Sequence, residues 1–507
     1  MALALAVSGY GRWRANPVTF DDAFISFRYA QQLIVGHGLV FNPGERVEGY
    51  TNFLWTLLAG AGMALGWNPL STTRVLGVAA YLGSILFGVI AVGASARRKR
   101  ELVALAPLAM LVLPVTYPAF AGSGLETSFV GLMVLLTGLG HHLWRSPSRW
   151  MRWLAGVPPL LAVLTRLDAT VAVVASLLII AVAERRSASR LRARLLPAVG
   201  PAILGLGLHG AWCLSYYGGF LPNPYYAKAA DLFSFDLGVE YLFGFLRSCP
   251  AALALFLLTA YGARAAQDRA CRDFARYAGC AFVAQTLLLC KVGGDFMEYR
   301  LMWEYWPVLV TGAALGTLAL LRRSLTAAVA CVAMVLALSR TPVVLELQHH
   351  MQSVAEMDGI AGRTARVGTV LAASLPADTI IATTAAGMAF HTPDLRVVDQ
   401  WGLTDPVTAH QAIGRIETRG HVKPARREYL AFRHVNLVFD HPKLTKCSNP
   451  RSQNSAQVFI RLDGDDDCVR SFYLTRTPEL TQHFCSHPER FILRQVDCSA
   501  GAADGHR

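Results

Sequence analysis

The feature that most limits what this chain can fold into is a series of long apolar runs that fills the first two thirds and stops near residue 340. The runs lie at about 73–95, 101–119, 125–143, 152–165, 169–184, 193–217, 240–262, 275–292, 301–321 and 325–340. Crossing a hydrocarbon layer about 30 Å thick takes roughly 20 helical residues, and most of the runs approach that length. Inside such a layer each backbone polar group needs an internal partner, so the runs are expected to be helices. The 152–165 and 169–184 runs are short and are separated by Arg166 and Asp168, which makes them two tight spans rather than one long one. The expected architecture is a polytopic α-helical membrane bundle of about 10–11 spans. Composition agrees: 53% of residues are hydrophobic and only 16% charged, against about 25% charged in a soluble chain. That excludes disorder and a simple soluble enzyme. Ten cysteines in 507 residues are too dilute for a small disulfide scaffold.

Lysine and arginine outnumber acids 47 to 34, a net charge of +13. In a soluble chain that excess would suggest nucleic acid. Here it sits between apolar runs, at Arg97–Arg100, Arg145 to Arg152, Arg185 to Arg194, Arg264 to Arg276 and Arg322–Arg323. Every second loop is basic, which places those loops on the cytoplasmic side and argues for membrane lipids, not nucleic acid, as surroundings. The alternate loops, 9–72, 120–124, 166–168, 218–239, 293–300 and everything after 340, then face outward. They hold paired acids, aromatics, Asn-Pro and Gly-Gly. Counting 52–66 as a span would invert this sorting, so that apolar segment is expected to be a helix at the outer surface or packed on the bundle. Residues 1–8 are too few to cross. They read as the remnant of a first span whose start lies upstream, and they lack the basic and apolar regions of a cleavable signal.

The tail from 341 to 507 differs in kind. It is polar, with strand-like runs at Thr379–Thr384, Leu395–Val398 and Gln457–Leu462 and helix-like stretches at 345–375 and 424–433. It is expected to be an exterior mixed α/β domain with its own core, following a module over 1–340. Cys447, Cys468, Cys485 and Cys498 all lie in it and can form two disulfides in three connectivities. The other six cysteines sit in or beside spans and read as small buried hydrophobes. The acids from Asp463 to Asp467 lack calcium-loop spacing and read as a solvated turn. There is no Walker motif.

Asp21 and Asp22 are the strongest local signal. They precede a helical stretch running to Gly36 and Gly38, on which Phe24, Phe27 and Ile34 share a face that suits a membrane surface. Aspartates cap helix starts, but one cap needs one acid. Two adjacent carboxylates repel each other, and such a pair can hold a proton as a general base or bind a divalent metal such as Mg, Mn or Ca. The outer loop from Phe41 to Asn52 carries Glu48, Tyr50 and Asn52, a surface suited to sugar hydroxyls and equally to a turn. Glu126 opens a span where an acid favours the helix dipole. Arg166 and Asp168 form an outer hairpin that either pairs internally or turns the arginine to a phosphate. Leu221 to Lys228 supplies Asn223, Tyr226 and the cationic Lys228. Gly293 to Arg300 supplies Asp295 and an arginine able to grip a phosphate by two bonds. A lone basic residue at a membrane edge usually snorkels; several on one side, together with carboxylates, make a head-group pocket.

The stretch Asp21-Asp22-Ala23-Phe24-Ile25 followed by Phe41 to Glu48 resembles the terminal arabinofuranosyltransferases of the mycobacterial cell wall. It also resembles the wider group of multi-span, polyprenyl-phosphosugar-dependent glycosyltransferases of the C-type fold. Asp399 to Asp405 resembles a stretch that bacterial members carry in their exterior domain. The resemblance implies an inverting transferase in a bacterial inner membrane, with its active site and tail on the periplasmic face. It implies Asp21 or Asp22 as base, and Lys228, Arg300 and Arg166, with Tyr226 beside them, at the donor phosphate. The donor would be a lipid-linked sugar, arabinofuranose first and mannose or another hexose second, and the acceptor a cell-envelope glycan, protein or lipid. A transporter of lipid-linked sugars would instead show polar residues deep in spans and repeated halves. A glycan-binding scaffold would leave the Asp21–Asp22 pair without a role.

Overall fold

A computed structural model describes residues 11, 18–228, 232–339, 351–413, 419–420, 422–448 and 455–499. Residues 1–8, read above as a span remnant, lie outside the described residues. The apolar two thirds is helical, and its buried side chains form one large core and a smaller one around Trp144, Val163 and Val199. By length and composition, three helices among the described residues are suited to cross a membrane, Pro69–Ser95, Leu167–Glu184 and Ala188–Tyr217, and up to five if two bent pairs each count as one span.

Those bends correct the sequence reading. The run expected as one span over 240–262 is two helices, Phe235–Ser248 and Ala251–Ala265, meeting at 94°. Pro250 stands at the corner, where it lacks the N–H that would continue the first helix. The 101–119 run likewise breaks by 63° between Lys99–Leu111, a tight 3₁₀ stretch, and Thr116–Gly122, with Pro114 in the gap. The 152–165 run is divided at Gly156 into Arg149–Leu154 and Val157–Thr165. Apolar composition reports the environment of a segment, whereas these corners are set by backbone groups that hydropathy does not count.

The loop read as outward-facing holds, among its described residues, two helices, α1 (Asp21–Ile34) and α2 (Phe53–Ala64), packed on each other. Helix α3 (Pro69–Ser95) follows, with Asn68 capping its first turn. The surface-facing reading of α1 is corrected: Phe24 and Phe27 are buried while Ile34 is exposed. Phe24 and Phe27 pack on Phe390, at centroid distances of 5.6 and 5.9 Å, within a short helix of the tail, Met388–His391.

The tail is an α/β unit, as expected. Its strands are β1 (Ile380–Thr383), β2 (Arg396–Asp399), β3 (Leu437–Phe439), β4 (Leu444–Lys446), β5 (Gln457–Arg461), β6 (Asp467–Tyr473) and β7 (Phe491–Arg494). They form one sheet in the order β2-β1-β3-β6-β5-β7, with β4 also on β6. The β2-β1-β3 part is parallel and the remainder antiparallel. The first tail helix is Val354–Ser374, opened by a Ser353–Glu356 capping box; residues 345–350 of its expected range lie outside the described residues. The core of this unit is shared with the outer loop, because Ile25, Tyr29, Leu39, Phe41 and Tyr50 belong to it. Asn42 completes the junction. Its amide exchanges two hydrogen bonds with the backbone of Val397, 2.9 and 3.1 Å, as an added strand residue would, and so covers part of the β2 edge.

Cys447 is bonded to Cys468 and Cys485 to Cys498, which selects one of the three connectivities left open. Cys280 is exposed and Cys331 half-buried, whereas Cys213, Cys249, Cys271 and Cys290 are buried as expected. The acidic turn is solvated but not idle: Arg366 pairs with Asp465 and Asp467, and Arg490 with Asp463. Peptide mapping without reduction is expected to recover these two pairs and no mixed ones. Opening Cys447–Cys468, which closes a segment of 21 residues, with a double Cys→Ala variant is expected to cost the tail about 3 kcal/mol, measured as a lowered Tm.

Candidate active site

Helix α1 begins directly at the acidic pair. Its N-cap is Phe20, in extended backbone, and no side chain caps the first turn, so capping does not account for Asp21 or Asp22. They face different partners. Asp21 is clasped by the tail: its carboxylate accepts the Gly387 N–H at 3.1 Å. A Cβ at Gly387 would come within 2.4 Å of the Asp21 carbonyl oxygen and 2.6 Å of its carboxylate, so glycine permits that approach. Burial, and then the charge of Asp22, push the Asp21 carboxyl up to about 7, partly offset by the Gly387 bond. Asp22 is also pushed up by burial, while Lys228 and Arg300 pull it back towards the carboxylate form and Asp295 and Glu126 oppose them.

Two adjoining cavities meet at Asp22 and Lys228. The first is lined by Asp21, Asp22, Lys228 and Phe296 together with tail residues Thr384, Trp401, Leu403 and His441. The second is lined by Asp22, Ser26, Tyr50, Asn52, Glu126, Lys228 and Arg300. The tail residues occupy one place in its topology. Thr384, Trp401 and His441 follow the C-terminal ends of β1, β2 and β3, the three parallel strands. The chain runs from β1 to β2 on one side and returns past β1 to β3 on the other, and the crevice at such a switch point is the usual ligand site of a parallel sheet. Asp399 shapes the loop after β2 by accepting the N–H groups of Trp401 and Thr404. Thr384 and His441 hydrogen-bond at 2.7 Å.

Beneath the second cavity lies a charged chain. Ser26 donates to Asn52, Asn52 to Glu126 at 2.9 Å, and Arg166 to Glu126 at 2.8 Å. Arg166 also holds both oxygens of Asp168 at 2.9 Å and approaches Glu304 at 3.2 Å. Of the two readings of the outer hairpin, internal pairing is the one observed. Lys228 and Arg300 are the cations that reach the cavities. Lys228 sits 5.6 Å from the Phe296 ring centre and Arg300 3.6 Å from Asp295. Arg300 follows Glu298 and Tyr299, both at positive φ, a backbone state that is costly for such residues. It is held because Glu298 accepts from Thr116 and from the Val354 N–H.

Of the residues singled out from sequence, Asp21, Asp22, Tyr50, Asn52, Glu126, Lys228 and Arg300 line the two cavities. Asn223 instead donates to the carbonyls of Gly402 and Leu403, and Tyr226 stacks on His410 at 4.4 Å. Both tie the 221–228 loop to the tail. Glu48 lies apart, beside His209 and Cys213. These three place their ligand atoms within 4.8 Å of one another and are the one such group among the described residues. Their O, N and S donors suit a zinc-like ion better than the oxygen-seeking Mg or Ca. Asp21 and Asp22 are not part of that group.

A family model described as Domain of unknown function (DUF8728) matches residues 349–484. The Terminal beta-(1->2)-arabinofuranosyltransferase of Mycobacterium tuberculosis (strain ATCC 25618 / H37Rv) is 28% identical over 338 residues, 58% of this chain and 51% of that protein. The chain thus spans about half the length of this curated relative, a terminal arabinofuranosyltransferase of the kind the sequence resembles. Among solved structures, ArnT from Cupriavidus metallidurans in the apo state superposes with a TM-score of 0.50 at 14% identity, covering 93% of this chain and 97% of that one. The same protein bound to undecaprenyl phosphate gives 0.49 at 14% identity over the same shares. The apo likeness shows a shared fold.

The state of Asp21 has a measurable consequence. Its folded-state pKa of about 7 lies above the ordinary 3.8, so the folded form favours the proton. Stability is then fully present at low pH and is lost as pH rises through 7. Asp21→Asn keeps an acceptor for Gly387 and removes the charge. Its Tm is expected to exceed wild type at pH 8 and to approach it at pH 5. Equal differences at both values would mean that the carboxyl is not perturbed.

Proposed function

We propose that this chain is an inverting glycosyltransferase that moves a sugar from a polyprenyl-phosphate donor to a glycan hydroxyl at the outer face of a bacterial inner membrane. The observation that carries the reading is the position of Asp22, where a cavity rimmed by Lys228 and Arg300 opens onto one walled by the tail. Lys228 and Arg300 take the donor phosphate. Tyr50, Asn52 and Glu126 border the sugar, while Arg166 and Asp168 hold Glu126 in place. The acceptor enters along Trp401, Thr384 and His441. Asp22 accepts the proton of the acceptor hydroxyl as its oxygen attacks the anomeric carbon. The bond from that carbon to the phosphate oxygen breaks, and the polyprenyl phosphate leaves with its added charge met by Lys228 and Arg300. Asp21, tied to Gly387, orients its neighbour. Arabinofuranose is the sugar favoured by the arabinofuranosyltransferase relative, and a hexose is second.

Two experiments test this. Single cysteines at positions 98, 188 and 225, in a background without the six free cysteines, are expected to react with an impermeant reagent from outside only at 225. Reaction at 98 would invert the assignment of the basic loops. In nanodiscs, with a panel of polyprenyl-phosphate sugars and a glycan acceptor, Asp22→Asn is expected to lose on the order of 10²–10⁴ in turnover. Asp21→Asn is expected to lose less, and Lys228→Ala to act mainly on donor KM. Near wild-type turnover in Asp22→Asn would remove it as base. Failure of every donor, alongside lipid translocation in vesicles, would favour a transporter.

A further inference from the structure

Helix α3 begins beside the active site, where Arg74 donates to the carbonyls of Val18 and Gly122. It ends at Ser95, roughly 30 Å beyond Arg74 at 1.5 Å per residue. At that far end the bundle holds a cavity of about 810 Å³, near the upper end of the roughly 300–1,000 Å³ range of ligand pockets. Its walls are apolar and come from three parts of the chain: Phe87 and Ile90 on α3, Leu136 and Leu139 on the facing helix, and Leu154 and Val157 on the broken segment behind Gly156. Phe87, Ile90, Leu154 and Val157 are exposed there, a contiguous apolar surface that calls for cover.

The rim has a different character. Arg97 and Arg322 stand at the mouth with Asp268, and the same two arginines also line an adjoining polar pocket with Arg98, Arg100 and Glu101. Four guanidinium groups therefore face two carboxylates, and both carboxylates are already engaged. Glu101 accepts from Arg322 at 3.0 Å and from the Arg97 N–H at 2.9 Å, while Asp268 caps a helix through the N–H groups of Ala270 and Cys271. Arg322 is further fixed by the Ser95 carbonyl at 2.7 Å. An apolar chamber that shares two arginines with a cationic pocket matches an amphiphile with a phosphate head.

We infer that this is a binding site for one anionic diacyl phospholipid, its chains in the apolar chamber and its phosphate between Arg97 and Arg322. The surplus of positive charge selects an anionic over a zwitterionic head, since basic pockets between spanning helices on the cytoplasmic side favour such lipids. Because the chamber walls come from three separate segments, the lipid joins them and stabilises the folded bundle by binding it alone. The site lies away from Asp22, so its test is independent of the proposed transfer reaction.

The test is retention of lipid by the full-length protein released from mixed phosphatidylglycerol and phosphatidylcholine nanodiscs, read by native mass spectrometry and by the Tm shift on adding each lipid back. Wild type is expected to keep phosphatidylglycerol at least tenfold over phosphatidylcholine. Arg97→Gln with Arg98→Gln is expected to bring that preference down to near parity, since about 1 kcal/mol per basic residue, at about a tenfold change per 1.4 kcal/mol, allows a loss of up to roughly 30-fold. Ala94→Trp, which adds bulk to the chamber wall and leaves every arginine in place, is expected to abolish retention; Ala91→Phe does the same work should the tryptophan not fold. Equal retention of both lipids, unchanged preference in the arginine variant, or unchanged retention in a folded chamber variant would each overturn the inference. So would displacement of phosphatidylglycerol by polyprenyl phosphate at equal concentration.

Discussion

The arrangement of the two cavities depends on how Arg166 is neutralised. A guanidinium this buried costs several kcal/mol in desolvation unless opposite charges meet it with good geometry. Glu126, Asp168 and Glu304 do so from three parts of the chain. The chain of bonds runs on through Asn52, where α2 begins, to Ser26 on α1. Satisfying one buried arginine thereby fixes the outer hairpin, the start of two helices and the floor of the second cavity. It also settles which cations remain for a ligand. Lys228 and Arg300 face the opening, and the carboxylates nearest them, Asp22 and Asp295, do not enclose them as Arg166 is enclosed.

The site is composite for a related reason. The loop carrying α1 and the tail, separated in sequence by the helical bundle, share one apolar core and are bonded polar to polar. Arg28 donates to the carbonyls of Pro393 and Leu395. Arg433 bridges Glu45 and Asp405, and Asp21 holds Gly387. The sheet's switch-point crevice consequently opens onto the acidic pair rather than onto solvent, and groups from both ends of the chain wall one cavity.

Much of this was legible in the sequence. The apolar runs and the pairing of Asp21 with Asp22 are local signals; the runs are helical and the pair lines a cavity. The seven residues that line the cavities were found because charged and amide groups beside an apolar run carry a cost that must be offset. What was missed is non-local. Phe24 and Phe27 form an apolar stripe whether they meet lipid or a protein helix, so the pattern alone did not reveal Phe390 as the partner. Trp401, Thr384 and His441 were not singled out, because only the parallel pairing of β1, β2 and β3 brings them together. Asp399 to Asp405 was noticed by resemblance, yet its role as a cavity wall follows from the fold. The corner at Pro250 had a local signal, and the apolar run around it concealed it.

Within the proposed reaction, the two aspartates illustrate how one environment can hold a base in reserve. Adjacent buried carboxylates titrate as a pair, and here they are unequally supported. Asp21 has a backbone donor but no cation among the leading influences on it. Asp22 has Lys228 and Arg300. Burial raises the Asp22 carboxyl above its ordinary range, and those two cations oppose that rise. A donor phosphate bound to the same cations brings compensating negative charge beside Asp22 and raises its affinity for a proton. Within that proposal the base strengthens further when the donor is seated, which links proton abstraction to the presence of the group to be transferred.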